Sequence, residues 1–498
     1  MLHNKLIYLI AFASGLLSLA QEILWMRFIS FVGMSVPQTF SFTLALFLVG
    51  IAIGAHIGKK ICQKNKDISI AQLGSVFFLA AIVDLILLLG IYIFSLNFNP
   101  SVLVLGCAVL ICAAIRGIIF PMVHHVGTAH AKTGKQISNV YFSNVFGSAL
   151  APILISFLAL DYLNTQQVYI LVCFLTFLVA IIALSFNKFY IPIAVSIFFL
   201  LFLPEKLFYQ FSKNSYQTNV YPEKILENRH GIIQVYKTDK DHIVFGGNVY
   251  DGKLNTDIFH NSNGVDRAYL VAALQPTAKE VLVIGLSTGS WAKVLSLMPS
   301  VEKIRIIEIN PQYVDFIRSH DEVRGLLDDP RVEIIIDDGR KWLKKNQFDK
   351  FDLILMNTTW HWRAYATNLI SQDFMQIIAQ HLQPNGIAFY NTTEALNAYA
   401  TARKVFPYVY QYKYFALVSN QAQKVELSTI QENLCQLRDP LTGIKTFQDR
   451  DQCQLAAQQI IKNPLKSYQE IKFSYPERDL AIITDDNMLT EFKYGKGL

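Results

Sequence analysis

Up to Pro204 the apolar residues are not interleaved with polar ones but run together in long blocks. A helix that crosses a bilayer needs roughly 20 apolar residues. Six blocks meet that length: residues 6–26, 39–57, 70–96, 102–120, 140–160 and 168–186. A seventh block, 189–203, is shorter, contains Pro192, and reads either as a span or as a segment lying in the interface. Beyond Pro204 the pattern changes to short apolar runs set among Lys, Asp, Gln and Asn. Residues 231–236 and 242–245 read as strands. From residue 280 the runs "EVLVIGL", "KIRIIEIN", "VEIIIDD", "FDLILMN" and "GIAFYNTT" alternate with stretches of helical periodicity, including "SWAKVLSLM", "PQYVDFIRSH", "GRKWLKK" and 371–382. Strands alternating with helices predict a doubly wound parallel sheet, with ligand sites at the carboxyl ends of its strands. The expected organisation is a transmembrane helical bundle (1–204), a linker with a small β region (205–278) and an α/β Rossmann-like domain (279–498).

Charge placement adds an orientation. Lys59, Lys60, Lys64 and Lys66 crowd the second loop and Lys132 and Lys135 the fourth, whereas "NFNPS" and "DYLNTQQ" in the third and fifth have no Lys or Arg. Basic loops stay inside, so the N-terminus is expected in the cytoplasm of an integral inner (plasma) membrane protein. Lys5, an apolar run and "SLAQ" could pass for a signal peptide. The run continues through Ile23, Leu24 and Trp25, which favours a retained first helix. Six spans leave the soluble part in the cytoplasm; seven put it outside. The uniform apolarity of 189–203 after a tight "NK" turn favours seven. Cys435 and Cys453 stand alone in the soluble part, as a disulfide of an oxidising compartment or as two unrelated thiols. The chain is 16% charged with a net charge of +6. No dense Lys/Arg run with interleaved aromatics marks a nucleic-acid partner; the bilayer is the expected one.

Glu22, Arg27 and Arg116 fall in the apolar blocks. Such residues either serve a site, or sit near an interface or pair to fix packing; the second reading is favoured. His124, His125 and His130 lack metal-site spacing and read as a solvated loop; no metal is expected. In the soluble part three strand ends suit a nucleoside. Gly285 and Gly289 let backbone approach a ligand. Glu308 is placed to accept ribose hydroxyls. Asp337 and Asp338 are placed to accept from an exocyclic amine. The cluster Trp360, His361, Trp362 and Arg363 follows a fourth strand end. His361 would serve there as a base near neutral pH; otherwise the cluster stacks on a ring, a lipid surface or a partner, or packs as a loop.

The stretches "VLVIGLSTG", "VEKIRIIEINP", "DDPRVEIIIDDGRKWL" and "FDLILMN" resemble the spermidine synthase (polyamine aminopropyltransferase) family. "SGLLSLAQEILWMR", "RGIIFP", "NVFGSALAP" and "IITDDNMLTEF" resemble its members fused to a transporter-like bundle. The resemblance implies an S-adenosyl-type donor, S-adenosylmethionine or its decarboxylated form, held by Gly285, Gly289, Glu308, Asp337 and Asp338. It also implies a catalytic acid at the end of the fourth strand, where this chain has Asn357 in "NTTW". The family's "YHE" segment is missing before the first Rossmann strand; the nearest residues are Val265, Asp266 and Arg267, and Arg267 would repel a cationic amine. Asp266, Asp257 or Glu394 are the replacement acids. Two functions follow. One is a membrane-anchored transferase with an S-adenosyl donor and an acceptor that need not be a polyamine, a small molecule or one delivered by the membrane. The other is a catalytically degenerate domain that binds a ligand or a membrane protein partner, on an anchoring or transporter-like bundle.

Overall fold

The computed structural model describes residues 2–65, 67–128, 134–184, 191–357, 359–476 and 480–498. Lys66, His130, Lys132, the turn before the seventh apolar block and that block's first two residues lie outside the described residues. The chain divides into two compact units, Met1–Gln234 with Leu498, and Val235–Gly497.

The first unit is a helical bundle: α1 (Leu2–Val32), α2 (Gln38–Lys64), α3 (Ile70–Asn97), α4 (Val102–Gly127), α5 (Gly134–Leu154), α6 (Leu160–Tyr162) after a π-helical turn at Ile155–Ala159, and α7 (Thr165–Ala183). Among the described residues six helices are long and apolar enough to cross a membrane, the fifth running from Gly134 to Tyr162 through the π turn. Leu48, Ile86, Leu103 and Phe142 are among the large apolar side chains they leave exposed, as bilayer-facing surfaces would. Small residues let the backbones close up. A Cβ added at Gly54 of α2 would stand 1.9 Å from the Ala114 carbonyl of α4, and one at Gly147 of α5 2.1 Å from the Phe12 carbonyl of α1.

α4 runs on past Pro121, so His124 and His125 lie in its last turn and not in a loop. Arg116 is not alone either. It pairs with Asp84 of α3, and both side chains are about 1% exposed. Arg116 Nη2 also reaches Thr176 Oγ1 at 3.4 Å, and Tyr169 donates to the Asp84 carbonyl at 3.1 Å.

The seventh apolar block forms α8 (Ile191–Phe199) and a 3-10 turn at Leu200–Phe202. Twelve helical residues rise about 18 Å, less than the roughly 30 Å of a hydrocarbon core. Nevertheless the segment returns along α7. Phe198 meets Phe174 with ring centroids 5.6 Å apart. Gln167 Nε2 donates to Leu201 O at 3.3 Å, and Gln166 Oε1 accepts from the Lys206 and Leu207 amides at 3.2 and 3.3 Å. The chain that leaves α7 at Ala183 is thus back beside its first turn by Lys206. α9 (Leu207–Phe211) and β1 (Lys224–Asn228) follow. This stretch holds the same end of the bundle: Lys213 Nζ donates to Leu96 O at 3.0 Å, Asn214 bonds Asn99, and Arg229 pairs with Asp161 at 3.3 Å. Arg27 of α1 donates to Thr165 Oγ1 at 2.7 Å and to the Asn228 carbonyl at 2.6 Å.

β1 begins a four-stranded sheet, completed by β2 (Gly231–Lys237), β3 (His242–Gly246) and β4 (Val249–Lys253) in the order β1-β2-β3-β4. The second unit continues with α10 (Asp266–Leu274), β5 (Glu280–Ile284), α11 (Ser290–Ser296), β6 (Lys303–Glu308), α12 (Gln312–Arg318), α13 (Asp321–Asp328), β7 (Val332–Ile336), α14 (Gly339–Lys345), β8 (Phe351–Met356), α15 (Gln372–His381), β9 (Leu382–Asn391), α16 (Leu396–Arg403), β10 (Tyr408–Tyr412), β11 (Phe415–Ser419), α17 (Leu427–Leu434), α18 (Arg450–Ile461) and β12 (Lys466–Ser467). The sheet order is β12-β10-β11-β9-β8-β5-β6-β7. β9, β8, β5, β6 and β7 run parallel, with Ile284 opposite Ile307 and Met356. β11 and β10 add antiparallel to one side, where the sequence pattern predicts only parallel strands. The order reverses between β5 and β8, the point at which open α/β sheets leave a ligand crevice. Cys435 and Cys453 form a disulfide joining α17 to α18.

Candidate functional site

The carboxyl ends of the central strands form one row. Asn357 N donates to Ile284 O at 3.0 Å, Gly285 N to Ile307 O at 3.0 Å, and Asp337 N to Glu308 O at 3.2 Å. Gly285 has φ +87° and a Cβ there would meet the Asn357 carbonyl at 2.4 Å; Gly289, φ +76°, caps α11. Both positions therefore need glycine, one for close approach and the other for its backbone. The row brings together Gly285, Glu308, Asp337 and Asn357, as the strand pattern predicts.

Glu308 is 4% exposed. Its Oε2 accepts from the Leu286 amide at 2.7 Å and its Oε1 from the Asn310 amide at 2.8 Å. Burial pushes its carboxyl up to about 7, against the pull of those amides. The residue that would take a ribose thus also clamps the glycine turn. Asp337 and Asp338 are tied to α14. Asp337 pairs with Lys341 at 2.9 Å, which holds it below the usual carboxylate range. Asp338 caps the helix by accepting from the Lys341 amide at 2.7 Å and lines a cavity of about 590 Å³ with Arg340, Lys344 and Asp485.

Asp266 is fully buried, bonded by Tyr412 Oη at 2.8 Å and paired with Lys413 Nζ at 2.6 Å. Asp257 caps its own turn, accepting from the Phe259 amide at 2.8 Å. Glu394 is exposed, at φ +75°. The His361 amide donates to Thr393 Oγ1 at 2.9 Å, and His361 Nδ1 lies 2.8 Å from the same hydroxyl. Burial lowers its imidazole, which keeps the ring neutral at neutral pH. Trp360 Nε1 donates to the Tyr250 carbonyl of β4 at 3.1 Å, so this cluster packs on the small sheet's hairpin.

Sequence reasoning missed Asp251 of β4. Tyr313 interacts with its carboxylate, Ser287 Oγ donates to its backbone carbonyl at 3.4 Å, and burial raises the carboxyl despite Arg363 nearby. A lone acid before a glycine in "VYDGK" was the available signal. Lys413 and Tyr412, which occupy Asp266, carry none.

This sheet order and the crevice at its switch point define a Rossmann-like, methyltransferase-type α/β domain. The C-terminal part of the chain carries a spermidine synthase domain: residues 268–433 match the spermine/spermidine synthase domain family model. The polyamine aminopropyltransferase of Thermococcus onnurineus is 28% identical over 192 residues, 36% of this chain and 66% of that protein. That of Oceanobacillus iheyensis is 22% identical over 415 residues, 79% of each. That of Agathobacter rectalis is 34% identical over 119 residues, 24% of this chain and 41% of its own. The chain thus spans less than two thirds of two of these three relatives. Among solved structures, the spermidine synthase of Thermotoga maritima is 18% identical, with 41% of this chain and 75% of that one covered and a TM-score of 0.35.

Proposed function

We propose that the protein is a membrane-anchored, spermidine-synthase-like module whose Rossmann unit faces the extracytoplasmic side and binds a ligand or partner, without aminopropyl transfer. The observation that carries this reading is the return of residues 191–207 along α7 to its first turn. With the Lys-rich second and fourth loops inside, that end of the bundle is the outer one. The Cys435–Cys453 disulfide supports the same side. S-adenosyl donors are made in the cytoplasm, so an outward domain is cut off from them. The state of the acids agrees. Asp266 is spent on Lys413, and Asn357 has no charge to attract a polyamine and no basicity to take a proton. Gly285, Gly289 and Glu308 keep a nucleoside's frame, with Glu308 already bonded to two amides.

A second reading rests on His361. A neutral imidazole fixed by Thr393 just beyond β8 suits a base acting on an acceptor other than a polyamine. That reading requires a cytoplasmic domain. Alkaline phosphatase fused after Lys213, with a fluorescent protein fused at the same point, decides between them. The expected result is an active phosphatase and a dark fluorescent fusion, with no methylthioadenosine released from decarboxylated S-adenosylmethionine and putrescine. A fluorescent fusion, or release abolished by Glu308→Ala, would overturn the proposal.

A further inference from the structure

We propose that the crevice beside the glycine turn takes an anionic small molecule, one bearing a carboxylate or a phosphate, and that Arg267 holds it. This rests on the ligand-binding reading above and names its ligand class.

Arg267 stands in the first turn of α10. Its guanidinium lies over the Trp291 ring, 5.6 Å from the centroid, and over the Phe415 ring at 5.0 Å. A Cβ at Gly264 would come within 3.0 Å of its Nη1, so the backbone there closes a third side. Trp291 is itself fixed, its Nε1 donating to the Asn263 carbonyl at 3.3 Å. The guanidinium is therefore preorganised. Its Nε is shielded from solvent and has no hydrogen-bond partner, and among the described residues no carboxylate pairs with it. The adjacent acid is Asp266, which is already neutralised by Lys413.

Removing a guanidinium from water without a counter-charge is costly, and stacking on aromatic rings offsets only part of that cost. The arrangement is balanced when an anion arrives. A planar fork held by two rings suits the bidentate geometry of carboxylate and phosphate. With Asp266 already paired to Lys413, the uncompensated charge at this place is that of Arg267, which repels a polyamine. Arg267 is thus a specificity-determining residue, and it reverses the sign of the ligand that the fold's relatives are named for.

The test uses the full-length protein in lipid nanodiscs, titrated at constant ionic strength with inorganic phosphate, succinate and putrescine. Trp291 fluorescence and the melting temperature are read together, and Trp291→Phe identifies the indole's share. Phosphate, succinate or both should give a saturable change in the unmodified protein. Arg267→Gln should abolish it and Arg267→Lys weaken binding by about tenfold or more. Arg324→Gln, an exposed arginine on α13, should leave it unchanged. No saturable response to either anion, an unaltered response in Arg267→Gln, or saturable putrescine binding that survives in the unmodified protein would each overturn the inference. If Arg267→Gln fails to fold, Arg267→Lys decides the case. The wider reading fails on different data, the topology fusions and methylthioadenosine release, neither of which involves Arg267.

Discussion

Lys413 Nζ stands 2.6 Å from Asp266 Oδ2, and the aspartate has no exposed surface. A buried carboxylate held by a lysine from the turn after β10 and by Tyr412 is a structural joint between α10 and the antiparallel side of the sheet. It is not an idle base. Breaking such a pair from one side leaves an uncompensated charge, which costs more than the pair itself contributes. Lys413→Met should lower stability by about 2 kcal/mol, reduced from the fully buried case because Lys413 is partly exposed. Asp266→Asn combined with Lys413→Met should recover much of that loss. A double-mutant cycle on melting temperatures checks it, and additive losses would rule out the joint.

Glu308 gives the second unit a pH signature. Its folded carboxyl lies near 7, against 4.5 for an unperturbed group. A raised carboxyl favours the folded state while protonated. Its contribution is therefore complete below about pH 4.5 and is lost as pH rises through about 7. The loss is on the order of 3 kcal/mol. Glu308→Gln cannot titrate, so the stability difference between variant and unmodified protein should change across that window and be flat outside it. Melting curves from pH 4 to pH 9 read this out directly, within about the span where a single group titrates.

The disulfide makes a chemical statement about compartment. Cys435 and Cys453 are 18 residues apart, and closing a loop of that size is worth about 3 kcal/mol in the chain-entropy account. Purified without reductant, the protein should expose to maleimide after denaturation only Cys62, Cys107, Cys112 and Cys173. Reduction should add two sites. Cys435→Ser with Cys453→Ser should lower the melting temperature by several degrees. Full labelling without reductant would place the domain in a reducing compartment.

What could be read from sequence followed the strength of its periodicity. β5, β6 and β8 lie inside the sheet and are mostly buried, so their apolar runs stand out; β7 is a half-exposed edge strand whose Ile run is as plain, and the acids that end β6 and follow β7 are visible because charge stops the run. Of the antiparallel strands, β10 mixes Tyr and Gln with a single Val and offers no such contrast, while β11, "FALVS", is a short apolar run with no charge at its end to mark it. Partnerships were illegible for another reason. Asp266 reads as a free acid until Tyr412 and Lys413, far along the chain, close on it. Arg116 reads as an isolated charge although Asp84 stands in "AIVDLILLL", because a single acid barely lowers the apolarity of so long a block and nothing in the sequence ties it to a residue of the next helix. The fourth apolar block stops at residue 120, yet α4 continues through Pro121 to Gly127, because Pro is tolerated in a bundle helix where neighbouring helices pack against it.

The Asp84–Arg116 pair sets a last expectation, for the bundle. Both side chains are about 1% exposed, at mid-length on α3 and α4, and Thr176 and Tyr169 of α7 add hydrogen bonds. A pair that only joins helices is dispensable as a unit and costly to halve. Asp84→Asn should destabilise the bundle by about 3 kcal/mol by stranding Arg116, whereas Asp84→Leu with Arg116→Leu should cost little, since apolar side chains suit that depth. The folded fraction during thermal or detergent challenge of the full-length protein measures both. A double variant as unstable as Asp84→Asn would mean that the charges do more than pair with each other, and would reopen a solute path through the bundle.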